Sequence, residues 1–129
     1  MASIFTKIIN KEIHCFKIAE TDNCFAFLDI NPNTVGHTLC IPKIEKDYIF
    51  ELDSKSYNDL INFSKIIAIA IKKAIPCKRV AMSVIGLEVP HAHVHLIPIN
   101  TMNDIRFQNK KKCSDKEFEK IASKIKSFL

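Results

Sequence analysis

Hydrophobic and polar positions alternate most regularly over residues 90–98. His91, His93 and His95 take every second place there, and Ala92, Val94 and Leu96 fill the places between. Side chains alternate faces along a strand, so this spacing predicts a half-buried strand over His91–Ile99 with three imidazoles on one side. Ala92, Val94, Leu96 and Ile99 are expected to turn toward a core or continue the sheet. A helix would scatter the same histidines around its axis. Elsewhere the period changes to that of a helix. Leu60, Phe63, Ile67, Ala70, Ile71 and Ala74 mark one face of a long helix, capped by Asp53 or Ser54 and running to about Ile75 before Pro76 stops it. Ser114-Asp115-Lys116-Glu117 reads as a capping box opening a C-terminal helix over about 114–128, with Phe118, Ile121, Ile125 and Leu129 inward. Ser3 can cap a short helix reaching about Asn10.

The remaining pattern predicts strands at Cys15–Ile18 and Cys24–Leu28, joined by a turn at Thr21-Asp22-Asn23. A loop over Asp29–Gly36 follows, then a strand at His37–Pro42. Another strand is expected at Arg79–Ile85, with a tight connection from Gly86 to Pro90. No repeat or linker interrupts the chain. The economical architecture is one α+β domain over 1–129: an antiparallel sheet of about five strands, one long helix, and a C-terminal helix as an extension.

Composition narrows the class. At 129 residues, 47% hydrophobic and 26% charged, the chain is ordinary for a soluble globular domain. No apolar run reaches the roughly 20 residues of a membrane span, and residues 1–7 lack the apolar stretch of a signal peptide. Five scattered cysteines, none in a C-x-x-C, suit reduced thiols in a reducing compartment, so a cytoplasmic location is expected. The net charge of +5 is uneven: from Asp104 onward eight Lys or Arg face four acids. That basic quarter lacks interleaved aromatics, so nucleic acid is not the expected partner; attraction of an anionic substrate is the milder reading.

A row of imidazoles serves two chemistries. Neutral imidazole binds zinc, but neighbours on one strand face lie about 6.6 Å apart and the outer pair about 13 Å. Zinc–nitrogen bonds of roughly 2.0–2.1 Å leave little room for all three on one ion. Nucleophilic catalysis tolerates a linear row, because one imidazole can attack while its neighbours orient it and meet the charge of what it attacks. The only two glycines, Gly36 and Gly86, both fall beside histidine segments. Glycine serves where φ is positive or something approaches closely, so two loops converging on one ligand are expected.

The run His91-Ala92-His93-Val94-His95-Leu96-Ile97 resembles the His-φ-His-φ-His-φ-φ signature of the histidine triad superfamily, and its Hint-like branch in particular. Residues 4–13, 25–32 and 36–43 are similar to that family's preceding blocks, in the same order. The resemblance implies a nucleotide-binding fold, a homodimer, and hydrolysis or transfer of nucleotidyl groups from purine nucleoside phosphoramidates and related AMP conjugates. It implies His93 as nucleophile, His95 and His37 as phosphate contacts, and His91 as the residue ordering the row. Asp29 and Ile30 would meet the ribose, and Ile4, Phe5, Ile8, Ile13 and Phe27 would line the base pocket. Apart from the resemblance, Glu88, five residues before His93 on the connection that Gly86 shapes, is expected near the leaving-group side of the phosphorus. Imidazole, with an ordinary pKa of about 6.5, is substantially neutral at pH 7 and so nucleophilic, and further protonated imidazoles could offset phosphoryl charge. No cofactor or metal is required.

Three departures stand out. Many members carry a Cys-x-x-Cys that helps hold a structural zinc; Ser3 and Thr6 occupy those positions here, so that zinc is expected to be absent. A small hydroxyl or amide residue is usual where Glu88 stands. The ribose-binding Asn has no match, Ser83 being the nearest polar candidate. Two other readings remain: a nucleotide-binding regulatory or scaffold protein with vestigial catalysis, and a metal-dependent hydrolase.

Overall fold

Caps encoded locally mark where the helices begin in the computed structural model, which describes residues 2–108 and 110–129. The Ser3 hydroxyl accepts from the Thr6 amide and opens α1 (Ile4–Ile9). Asp53 accepts from the Ser56 amide and opens α2 (Ser54–Ala74), and the Ser114–Glu117 capping box opens α3 (Asp115–Lys126). Two short 3-10 turns, Ile49–Glu51 and Met102–Ile105, were not foreseen from the pattern. No helix among the described residues is long and apolar enough to cross a membrane.

The strands are β1 (Lys17–Glu20), β2 (Cys24–Leu28), β3 (Thr38–Pro42), β4 (Arg79–Ser83) and β5 (Val94–Ile99). They form one antiparallel sheet in the order β1-β2-β3-β5-β4. Both faces of its centre are covered, so β2 and β3 are buried at every position. One face packs Ala26, Cys40, Val94 and Leu96 against α2 and α3. On the other, Phe25, Phe27, Leu39 and Ile41 cluster with Phe5 and Ile8 of α1. Alternation along β5 therefore sends Val94 and Leu96 toward α2 and the histidines toward α1.

Several boundaries shift. The first strand starts at Lys17 rather than Cys15, the third at Thr38, and the fourth ends at Ser83. The histidine strand is shorter than expected and is not half-buried. Its ladder to β3 ends at Cys40–Val94, and the amides of His91 and Ala92 donate instead to the carbonyls of Val89 (2.8 Å) and Lys46 (2.7 Å). At the C-terminus Leu129 lies exposed while Ala122 is buried, so the inner face of α3 runs through Phe118, Ala122 and Ile125. Gly36 has φ +94°, and a Cβ there would stand 2.9 Å from Ile75 Cγ1. Its purpose is close packing against the end of α2, not approach to a ligand; only Gly86, at φ +75°, borders the cavity described next.

Candidate active site

Between α1 and the sheet lies a cavity of about 580 Å³. Ile4, Phe5, Ile8, Ile13 and Phe27 form its apolar wall. Asp29 and Ile30, just after β2, form a second side, and the 85–89 loop, with Gly86 and Glu88, a third. His93 and His95 line it from β5 and its approach. Ser83 does not: although paired with His95 across the ladder, it lines a neighbouring groove with Tyr48 and Phe50. The loop beyond β4, rather than the strand, supplies this wall.

All four imidazoles of the site are between 0 and 7% exposed. His91 stands behind His93, and His37 behind His95; neither lines the cavity itself. Their partners determine where each ring, in its neutral form, carries its hydrogen. The His93 Nδ1–H donates to the His91 carbonyl at 2.7 Å, which leaves Nε2 with a lone pair and no protein partner among the described residues. The His91 Nε2–H donates to the Pro42 carbonyl at 2.8 Å, so its Nδ1 accepts from the Ser3 hydroxyl, also at 2.8 Å. On the other flank the Asn33 backbone N–H donates to His37 Nδ1 at 2.9 Å. His37 therefore carries hydrogen on Nε2 and donates to His95 Nδ1 at 3.0 Å, and His95 keeps an N–H on Nε2.

Charge follows burial. Desolvation, with positive charge at His95 and Lys110 a smaller cause, lowers His37 from the usual 6.5 to about 3. Burial likewise takes His95 to about 4, and His91 also shifts down. Burial thus favours the neutral form of His37 and His95, in place of the charged imidazoles expected beside the phosphate. The 3.6 Å approach of His37 Nε2 to Asp29 Oδ2 is accordingly not an ion pair. Burial raises the Asp29 carboxyl above its ordinary value.

Asp29, His37 and His95 bring three potential ligand atoms within 4.8 Å of one another. Residue type suits a cation, but the chemistry of the donors does not. A backbone N–H can only donate, so His37 Nδ1 is an acceptor and Nε2 holds the hydrogen; a metal there would need that nitrogen's lone pair. Ser3 and Thr6, where the resemblance places zinc-binding cysteines, belong to a hydrogen-bonded cluster instead. Glu45 accepts from the Ser3 amide and the Thr6 hydroxyl, each at 2.6 Å, while Ser3 engages His91. Uncharged hydroxyls in place of thiolates do not fit structural zinc.

Two contributors had no signal in the pattern. Phe107 sets its ring edge against His95, with centroids 5.0 Å apart, and Lys110 lines the cavity beside it. Both arrive from the segment after β5, whose local sequence gives no hint that it folds back.

The HIT domain family model matches residues 10–102. A HIT-like protein of Borreliella burgdorferi is 36% identical over 131 residues, spanning 95% of this chain and 94% of that protein. The adenosine 5'-monophosphoramidase of Saccharomyces cerevisiae is 38% identical over 100 residues, 75% of this chain and 62% of its own. Among solved structures, a HIT-like protein from Bartonella henselae superposes with a TM-score of 0.87 at 31% identity, covering 98% of this chain and 96% of that one. With its fold, its histidine row and these likenesses in agreement, the chain belongs to the HIT family.

Proposed function

We propose that this protein is a metal-independent nucleotidyl hydrolase or transferase that cleaves nucleoside 5'-phosphoramidates or related AMP conjugates through a covalent intermediate on His93. The observation that carries the reading is the clamp of His93 Nδ1–H on the His91 carbonyl, with Nε2 left free in a ring that lines the cavity. The apolar wall from Ile4 to Phe27 is suited to a purine, and the Asp29 carboxyl to a ribose diol. A relative named as an adenosine 5'-monophosphoramidase supports the substrate class.

In this scheme Nε2 of His93 forms a bond to the α-phosphorus while the phosphorus–nitrogen bond to the leaving amine breaks. The departing amine takes a proton from water. Positive charge developing on the ring is shared with the His91 carbonyl through Nδ1–H. Nε2–H of His95, held in that tautomer by His37 and Asn33, offers a neutral donor to a phosphoryl oxygen. Water then attacks phosphorus, the bond to Nε2 breaks with its electrons returning to the ring, and AMP leaves. No step uses a metal.

The exposed apolar side chains along β4 and beyond (Met82, Val84, Ile85, Leu87), sharing a groove with Tyr48 and Phe50, favour a homodimer closing on that edge. Five free cysteines suit a cytoplasmic setting. The deciding experiment is turnover of adenosine 5'-phosphoramidate with and without chelator, alongside intact-mass detection of an AMP adduct after acid-free quenching. Chelator-insensitive turnover with an adduct supports the proposal. Loss of activity on chelation would restore the metal-dependent reading, and AMP binding without turnover would leave a nucleotide-binding protein.

A further inference from the structure

An AMP conjugate brings at least one negative charge to the phosphorus, and the site needs something to meet it. His95 offers only an N–H dipole and His37 spends its own on His95, while the acids Asp29 and Glu88 both line the cavity. Among the described lining residues a single Lys or Arg is present: Lys110.

Its position is built rather than incidental. After β5 the chain makes the Met102–Ile105 turn and doubles back over the histidine row. Phe107 rests edge-on against His95 and His37, with centroids 5.0 and 6.1 Å away. The Lys110 ammonium sits 4.7 Å from the centroid of the Phe107 ring and donates to Asn33 Oδ1 at 3.0 Å. Asn33 is 2% exposed and anchored on both sides, its backbone N–H to His37 and its side-chain amide to the Asp104 carbonyl at 3.2 Å. The next amide, of Lys111, donates to the Pro32 carbonyl at 2.8 Å and pins the segment to the loop after β2. A π face and an amide oxygen orient the ammonium without neutralising it. No ion pair within 4.0 Å joins Lys110 to a carboxylate among the described residues.

We infer that Lys110 is the residue that receives the substrate's phosphoryl charge, making the site select phosphorylated nucleosides over nucleosides. The inference rests on the nucleotide reading above. Its support extends to Asp29, His37 and His95, all of which feel the positive charge of Lys110. Lys110 thus gives a local purpose to one charge of the basic C-terminal quarter.

Calorimetric titration of AMP and of adenosine into the full-length protein tests it, using wild type, Lys110→Met and Lys110→Arg, with melting temperatures confirming the fold. Lys110→Met should weaken AMP by roughly tenfold, as for the loss of a charge-assisted contact, and leave adenosine unchanged. Lys110→Arg should recover most of the loss. AMP affinity should also fall with salt more steeply in wild type than in Lys110→Met. Equal weakening of AMP and adenosine would reduce Lys110 to a structural residue and overturn the inference. Wild-type binding of AMP that survives Lys110→Met unaltered sinks the role of Lys110 alone, whereas failure of wild type to bind either ligand removes the nucleotide reading and this inference with it.

Discussion

The Ser3 hydroxyl donates to Nδ1 of His91 at 2.8 Å across 88 residues of chain, tying the first turn of α1 to the segment that carries His93. His91 in turn holds His93 through its carbonyl, so an N-terminal cap is linked to the proposed nucleophile by two hydrogen bonds. Ser3→Ala leaves the buried Nδ1 without its donor and removes the helix cap. A loss of about 1–3 kcal/mol in unfolding free energy is expected, with a lower kcat, by urea titration and steady-state kinetics. Ser3→Thr, which keeps the hydroxyl, should recover both. An unperturbed Ser3→Ala protein would show that the linkage is ornamental.

His93→Ala should reduce kcat by roughly a thousandfold or more, because the bond-forming atom is gone. AMP affinity should change little, since Nε2 serves bond formation, whereas the melting temperature should fall modestly because the buried His91 carbonyl loses its Nδ1–H donor. Mass spectrometry should place the adduct on this residue in wild type. Near-normal kcat in the variant would exclude it as nucleophile.

Stability should fall with pH below neutrality. Burial holds His37 at about 3 and His95 at about 4, both under the 6.5 that unfolding restores. The unfolded chain therefore binds more protons between pH 6.5 and about 3, so stability is complete above 6.5 and is lost as pH falls through that window. Asp29, raised by burial, opposes the trend only in the carboxylate range. Thermal melts from pH 7 to pH 4 should show the decline, and His95→Gln should flatten it. A melting temperature constant from pH 7 to pH 5 would contradict the neutral assignment.

Glu88 should bias the leaving group. It lies on the cavity-lining loop that Gly86 shapes, and its charge is felt at Asp29. A carboxylate there repels a polyphosphate and tolerates an amine. Phosphoramidates should therefore exceed dinucleoside polyphosphates in kcat/KM, and Glu88→Ser should narrow the gap by severalfold. An unchanged ratio would leave Glu88 as a surface residue.

Association through β4 should respond to charge. Val84→Lys places an ammonium at the exposed end of that edge, where natural edges use lysine to block pairing. Light scattering after size exclusion should report a dimer for wild type and a monomer for the variant. Monomeric wild type at assay concentrations would end the dimer proposal.

Local sequence determined what depends on neighbours a few residues apart. Ser3, Asp53 and Ser114 announced their helices because a cap satisfies amides within one turn. The alternation of His91, His93 and His95 with Ala92, Val94 and Leu96 survived even where regular pairing stops before Val94, because an extended backbone alternates with or without a ladder. Tertiary structure decided the rest. The hydrogen position on His91 comes from the Pro42 carbonyl, 49 residues away, which leaves Nδ1 to the Ser3 hydroxyl 88 residues away. Burial on both sheet faces, which neutralises His37 and His95, exists only once α1 has closed over one side and α2 over the other. Nothing around Phe107 and Lys110 encodes their return to the histidines, because the contacts that hold them, with Asn33, Pro32 and His95, form across the fold and leave no periodic trace in the chain.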